Sequence, residues 1–254
     1  MLVEDPDGAI WCGTDHGVYR LERAEGKWIS RFVDFGMPAG PDDSTLVEAM
    51  VQDKQGVLWV GTGRALYRRL PDGPVDKYTS DDGLPDTFIN ALFIDSEQRV
   101  WVGTRYKGLC RLTAKIIPHH SIVENRYGIK EGLGSNWIAS LFETSDGTIW
   151  AGTNAGLSKA VRHPYGQKKF ESYTTSQGLS DAEVWALAED RDGSLLARNC
   201  KRRGNEAGAE WLHYLRPARR PRYRSRYLDS GRPRRRIVRR YFNVAAKVPQ
   251  QIRR

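Results

Sequence analysis

Short apolar runs broken by turn residues fill the first three quarters of the chain. "INALFID" (Ile89 to Asp95) and "IASLFE" (Ile138 to Glu143) are typical: too short for a helix, rich in β-branched and aromatic types, and followed by polar turn segments, Ser96-Glu97-Gln98 and Thr144-Ser145-Asp146-Gly147. A second run follows each turn, and it is written four times: "IWCGTDHGVYRL" from Ile10, "LWVGTGRALYRRL" from Leu58, "VWVGTRYKGLCRL" from Val100 and "IWAGTNAGLSKA" from Ile149. The anchors Trp11, Trp59, Trp101 and Trp150 are 48, 42 and 49 residues apart, and a degenerate fifth copy puts Leu196 in the same column 46 residues on. That period fits a four-stranded propeller blade.

Each column has a local reason. Six residues before the anchors stand Asp5, Asp53, Asp95, Thr144 and Asp190; three before stand Gly8, Gly56, Gln98, Gly147 and Gly193. A carboxylate that caps its own backbone, followed by a residue tolerant of positive φ, is hairpin chemistry. Ten before the anchors the residue is small (Ala49, Ala91, Ser140, Ala186), as the taper toward a propeller axis requires. Gly-Thr after the anchor leads into a second turn and a third strand. A fourth strand is expected to end near Phe32, Tyr78, Tyr127 and Tyr173, with Gly83-Leu84, Gly132-Leu133 and Gly178-Leu179 returning the chain to the next blade. The first connection, "FGMPAGPDDSTL" from Phe35, is longer and irregular. The tryptophans are expected to pack flat between neighbouring sheets, each contributing roughly 3 kcal/mol or more. The pattern predicts an all-β partial propeller of four to five four-stranded blades over residues 1–196.

These elements, Asp-x-x-Gly, apolar-Trp-x-Gly-Thr, Gly-Leu-x-Arg-Leu and Tyr-x-x-x-x-Gly-Leu, resemble the two-component regulator propeller repeat. The resemblance implies a bacterial, periplasmic sensor region, in a family that commonly builds seven-bladed propellers. It also implies remaining blades and a membrane-linked output domain, a histidine kinase or similar, as partners in the intact protein. Met1 stands in the small-residue column, so the chain is read as starting inside a first strand, and as a fragment. A weaker resemblance is to propeller lyases of the streptogramin-lyase type, whose Trp-Phe-Thr-Glu signature is not matched by Trp-Val-Gly-Thr here.

Charge changes the picture only at the end. Residues 1–196 hold 21 Lys and Arg against 28 Asp and Glu, whereas residues 197–254 hold 19 against 3. After Leu196 the repeat stops in mid-motif, with Arg198-Asn199 where Gly-Thr is expected. The segment 197–254 is therefore read as an Arg-rich tail, disordered or out of frame. The rival reading, an arm that binds nucleic acid through interleaved Arg and Tyr, is disfavoured. No 18-residue apolar stretch and no basic-then-apolar leader occurs, so neither a membrane span nor a signal peptide is read.

Catalytic chemistry is not legible. No nucleophile elbow, phosphate loop, dinucleotide fingerprint or kinase core occurs, and neither cofactor nor metal is implied. Cys12, Cys110 and Cys200 show no ligand spacing, and His119-His120 stand without further ligands nearby. The candidate function is binding. Strand direction puts the loops between second and third strands at one end with the inter-blade loops. This face holds Asp15, His16, Arg64, Arg105, Tyr106, Lys107 and Asn154, which vary between copies while the framework repeats. An aromatic flanked by two bases, as at Arg105 to Lys107, suits a small acidic molecule or a saccharide.

Overall fold

The computed structural model describes residues 1–38, 45–161, 170–179, 181–203 and 206–215. Its strands fall into separate antiparallel sheets that follow one another along the chain. Blade 1 is β1 (Leu2–Glu4), β2 (Ile10–Thr14), β3 (Gly17–Ala24) and β4 (Lys27–Val33). Blade 2 is β5 (Val47–Gln52), β6 (Leu58–Thr62), β7 (Leu66–Arg69) and β8 (Val75–Tyr78). Blade 3 is β9 (Ile89–Ile94), β10 (Val100–Thr104), β11 (Leu109–Leu112) and β12 (Val123–Tyr127). Blade 4 is β13 (Ile138–Glu143), β14 (Ile149–Thr153), β15 (Gly156–Ala160) and β16 (Phe170–Tyr173). Among the described residues blade 5 has three strands, β17 (Val184–Glu189), β18 (Leu195–Arg203) and β19 (Glu206–Leu215). Each four-stranded sheet is a meander in chain order, and the first strands lie side by side (β5 with β9, β9 with β13, β13 with β17), on the axis side.

The hairpin between first and second strands forms as its residues dictate. Asp53 Oδ1 accepts from the backbone N–H of Gln55 and Val57, both at 2.9 Å, and Asp190 Oδ1 repeats this at Asp192 and Ser194. The residue three on is left-handed in every copy, at φ 83°, 81°, 63°, 81° and 76°, and Gln98 adopts that conformation without being glycine.

The anchor tryptophans lie between sheets, each only 2–6% exposed. Trp11 packs with Met50, Leu58 and Val60 of blade 2, and Trp59 with Leu92, Val100 and Val102 of blade 3. Trp101 meets Leu141, Ile149 and Ala151 of blade 4, and Trp150 meets Leu187, Leu195 and Ala197 of blade 5. Each blade therefore has a front, with the indole, and a back that receives the indole of the blade before. The third strand lays a base over the indole: Arg20, Arg68, Arg111 and Lys159 stand 5.3, 5.7, 5.7 and 5.5 Å from the ring centres. Tyr78, Tyr127 and Tyr173 of the fourth strands lie against Trp59, Trp101 and Trp150, with ring centres 5.7–6.3 Å apart.

Gly-Thr is explained by the same joints. A Cβ on Gly13, Gly61 or Gly103 would stand 2.5–2.6 Å from a methyl of Val47, Ile89 or Ile138, the β-branched residue near the start of the next blade. On Gly152 it would meet the Val184 carbonyl oxygen at 2.5 Å. Only glycine lets the blades close this tightly. The Thr that follows organises the next loop: Thr14, Thr62, Thr104 and Thr153 Oγ1 each donate to the carbonyl of Gly17, Ala65, Gly108 or Gly156 at 2.8–3.1 Å.

Three points differ from the sequence reading. Phe32 is one residue out of the tyrosine column: Val18 pairs with Val33, as Leu66 does with Tyr78, so Phe32 faces the back of blade 1 and is 59% exposed. The Gly-Leu connection contains a turn of 3-10 helix in three copies (Ser80–Asp82, Ile129–Glu131, Thr175–Gln177), closed by left-handed Gly83, Gly132 and Gly178. Extended backbone also continues past the boundary drawn at residue 196, through Arg203 and on into β19. A hairpin ladder is made by main-chain groups, so it persists where the Trp-x-Gly-Thr side chains stop. The rest of the Arg-rich tail, residues 216–254, and the loop residues 39–44 lie outside the described residues.

Candidate ligand-binding face

The loops between second and third strands meet the inter-blade loops at one end of the sheets. Thr45 Oγ1 donates to the Asp15 carbonyl at 2.8 Å. The N–H of Arg105 donates to the Phe88 carbonyl at 3.0 Å, and that of Tyr106 to Asp86 Oδ2 at 3.0 Å. The N–H of Gly108 reaches the Asn136 carbonyl of the next connection at 2.8 Å.

Within this face the structure brings Arg105 and Tyr106 into one cluster. The Arg105 guanidinium lies 4.7 Å from the ring centre of Phe88, 5.8 Å from Tyr106 and 5.7 Å from Trp137. Tyr106 meets Phe88 edge to face at 6.3 Å, and Trp137 meets Trp185 edge to face at 5.6 Å. The Trp185 indole donates to Glu183 at 3.1 Å. Phe88 and Trp137 directly precede β9 and β13, and Trp185 is the second residue of β17, so the cluster joins blades 3, 4 and 5 on the axis side. Tyr106 and Trp185 are 61% and 41% exposed, unlike the anchor indoles. A cation held among aromatic faces, open to solvent, can stack on a planar or sugar ring while leaving N–H groups for an acidic substituent.

The other candidates stand apart. Asp15 and His16 pair with each other at 2.8 Å on the rim of blade 1, and hydrogen bonding from the His16 ring holds the Asp15 carboxyl below its usual range. Arg64 and Lys107 are exposed loop residues, and the Asn154 side-chain oxygen is buried without a partner among the described residues. Among the described residues no three His, Cys, Asp or Glu side chains converge as a metal-ligand group, and no helix is long and apolar enough to cross a membrane.

Phe88, Trp137 and Trp185 were not singled out by sequence reasoning. The signal existed. Phe88 and Trp137 both stand 13 residues before their anchors, and Trp137 and Trp185 are tryptophans outside the anchor column.

The two component regulator propeller profile matches residues 41–64, 83–106 and 132–155, each ending in or just after a Trp-x-Gly-Thr motif. No curated protein sequence matches. Among solved structures, an extracellular domain assigned to a hybrid two component system of B. thetaiotaomicron is 25% identical, with TM-score 0.63, over 78% of this chain and 26% of that one. A second B. thetaiotaomicron extracellular domain, assigned to a one component system, gives 19% identity and TM-score 0.63 over 78% and 28%. Virginiamycin B lyase from Staphylococcus aureus shares the fold at 13% identity and TM-score 0.56, over 83% and 68%. The chain spans about a quarter of the length of the extracellular domains it resembles.

Proposed function

We propose that this chain, which carries two component regulator propeller repeats, is a ligand-binding module of a bacterial two-component-type signalling protein. In this reading it works in the periplasm and passes binding to a membrane-linked output domain, a histidine kinase or similar. The ligand is a small molecule or saccharide that stacks on the cluster around Arg105. The observation that carries the reading is that cluster: solvent-open aromatic rings around a guanidinium, contributed by three successive blades of a rigid framework. Its residues occupy columns whose side chains change from copy to copy, unlike the turn and strand framework that holds them. The profile matches and the likeness to extracellular domains of two component systems support the class of protein.

A panel of neutral and acidic oligosaccharides, screened by thermal shift, tests the site. At least one should raise the melting temperature in proportion to the logarithm of its concentration. Arg105→Ala and Trp137→Ala should each reduce that shift at least tenfold in apparent affinity while leaving the ligand-free melting temperature within about 2 °C. A shift that survives both substitutions would move the site elsewhere.

A further inference from the structure

Blade 5 departs from its neighbours at the axis end of the candidate face. The column 13 residues before the anchors reads Leu46, Phe88, Trp137 and Glu183, and the column 11 before reads Glu48, Asn90, Ala139 and Trp185. Blades 3 and 4 therefore place a ring in the first column, whereas blade 5 places a carboxylate there and its ring two residues on. The Trp185 indole donates to Glu183 Oε2 at 3.1 Å, and it stands at 87° to Trp137 with ring centres 5.6 Å apart. The two indoles form a right-angled corner, with the Glu183 carboxylate on its Trp185 wall.

The charges at the two ends of this strip are both unmatched. Arg105 reaches three rings, and among the described residues no Asp or Glu pairs with it. Among the same residues no Lys or Arg pairs with Glu183, and only Trp185 donates to its side chain. The nearby carboxylates are engaged in the loops: Asp86 accepts from the backbone N–H of Phe88 and Tyr106, and Asp181 from that of Ala182. The Trp137 backbone N–H is likewise tied to Ser135 Oγ at 3.0 Å. The strip is thus held in place by its own turns, which lowers the ordering cost of binding.

We propose that the ligand of this face is a zwitterion, with its acidic group on the N–H edge of Arg105 and an ammonium group over the Trp185 ring, where Glu183 supplies the counter-charge. The proposal rests on the ligand-binding role given above to the cluster around Arg105, and it adds the class of molecule. An ammonium ion is drawn to an indole face by the ring quadrupole and to a carboxylate by its charge. A neutral hydroxyl gains less from both, so the corner selects the cation. A guanidinium whose faces are taken up by rings keeps its N–H edge for an oxyanion. The span sets the size. Steps of 5.7 and 5.6 Å lead from the Arg105 guanidinium to the Trp137 ring and on to the Trp185 ring. A single amino acid, at about 3.5 Å of chain per residue, is too short to bridge them, whereas about three extended residues or one disaccharide fit.

Isothermal titration calorimetry of the full chain with two matched sets of probes tests this. The peptide set is trialanine, its N-acetyl form and its C-terminal amide. The sugar set is a disaccharide of glucosamine and glucuronic acid with a free amine, and the same disaccharide N-acetylated. In at least one set the zwitterion should bind at least tenfold more tightly than the form lacking its amine, and trialanine, if its set responds, tenfold more tightly than its amide. The responding set identifies the source of the ligand. Glu183→Gln keeps an oxygen for the Trp185 indole and removes the charge, so it should bring the amine and N-acetyl forms to within twofold of each other. Trp185→Leu, at an exposed position, should do the same, and it takes over if the first variant loses its strand signal in circular dichroism. Equal affinity for the amine and N-acetyl forms, with both lost in Arg105→Ala, overturns the zwitterion and leaves the ligand-binding reading of the cluster standing. A tenfold ratio that survives both Glu183→Gln and Trp185→Leu also overturns it. Binding of no probe in either set overturns it too, and the ligand-binding reading falls with it only if the oligosaccharide panel is silent as well.

Discussion

Blades 1 and 3 are written in the same code and end in different states. In blade 3 the Trp101 indole donates to Asp95 Oδ2 at 2.8 Å, and Asp95, 1% exposed, also takes Arg99 Nε at 2.6 Å and caps its own turn. Tyr127 stacks on the ring, and the back of the sheet is covered. In blade 1 the equivalent Asp5 is turned to Arg20 at 2.8 Å and to Gln52 of blade 2 at 3.0 Å, and the Trp11 Nε1–H has no partner among the described residues. A second guanidinium, Arg69 of blade 2, lies 5.2 Å from the Trp11 ring centre. The back of blade 1 is open. The comparison teaches that the repeat specifies shape, whereas the neighbours decide which polar groups are satisfied.

The largest separation between the two blades should come from removing the indoles. Trp101→Ala is expected to destabilise by about 3–5 kcal/mol, because it opens a cavity between packed sheets. It also removes the N–H that Asp95 accepts. Trp11→Ala should cost about 1–2 kcal/mol less, since its N–H is already unpaired and no tyrosine stacks on it. Chemical denaturation of both variants checks this; equal losses would mean that indole area alone sets the joint energy.

A gentler change isolates the polar part. Trp101→Phe leaves a buried Asp95 short of a donor and should cost about 1–3 kcal/mol, whereas Trp11→Phe removes an orphan donor and should be within about 1 kcal/mol of neutral. The difference between the two should persist when denaturation midpoints are compared at constant slope.

The smallest test reads the covering of the sheets directly. Cys12 and Cys110 both lie on back faces, one open and one buried. In a Cys200→Ser background, a thiol reagent at pH 8 should label Cys12 within minutes and leave Cys110 protected until the chain unfolds. Burial pushes the Cys110 thiol up to about 12 from an ordinary value near 9. Its folded value is raised, so its contribution to stability is complete below pH 9 and is lost as pH rises from there toward 12. Burial also raises the Tyr67, Tyr78 and Tyr127 hydroxyls, so both chains should lose stability across that range, and the Cys110→Val variant should lose less than the unaltered chain.

The framework was legible because it is repeated: tryptophan, turn Asp, left-handed Gly and small axis residue each recur at fixed offsets, and each has a local cause. What escaped reading depends on contacts between blades. The glycine of Gly-Thr is dictated by Val47, Ile89 or Ile138 in the following copy, 28 to 35 residues away. Asp95 accepts an indole that Asp5 does not, because Arg20 and Gln52 intervene. Phe32 was misplaced by one residue, and a one-residue error exchanges the two faces of a strand. At the candidate face, Arg105 and Tyr106 were found from their departure from the repeat. Phe88, Trp137 and Trp185 were passed over because each belongs to a different blade, and only the fold gathers them.

The contact between each Gly-Thr glycine and its β-branched neighbour has an evolutionary consequence. Both halves of the fastening are present in each of blades 2, 3 and 4, so unequal crossover between those copies would add or delete a whole blade and leave every remaining seam chemically intact. A point change in either half has no such freedom, because one added methyl already collides across the seam. Gene duplication can therefore vary the number of copies far more easily than substitution can vary how any two of them are joined.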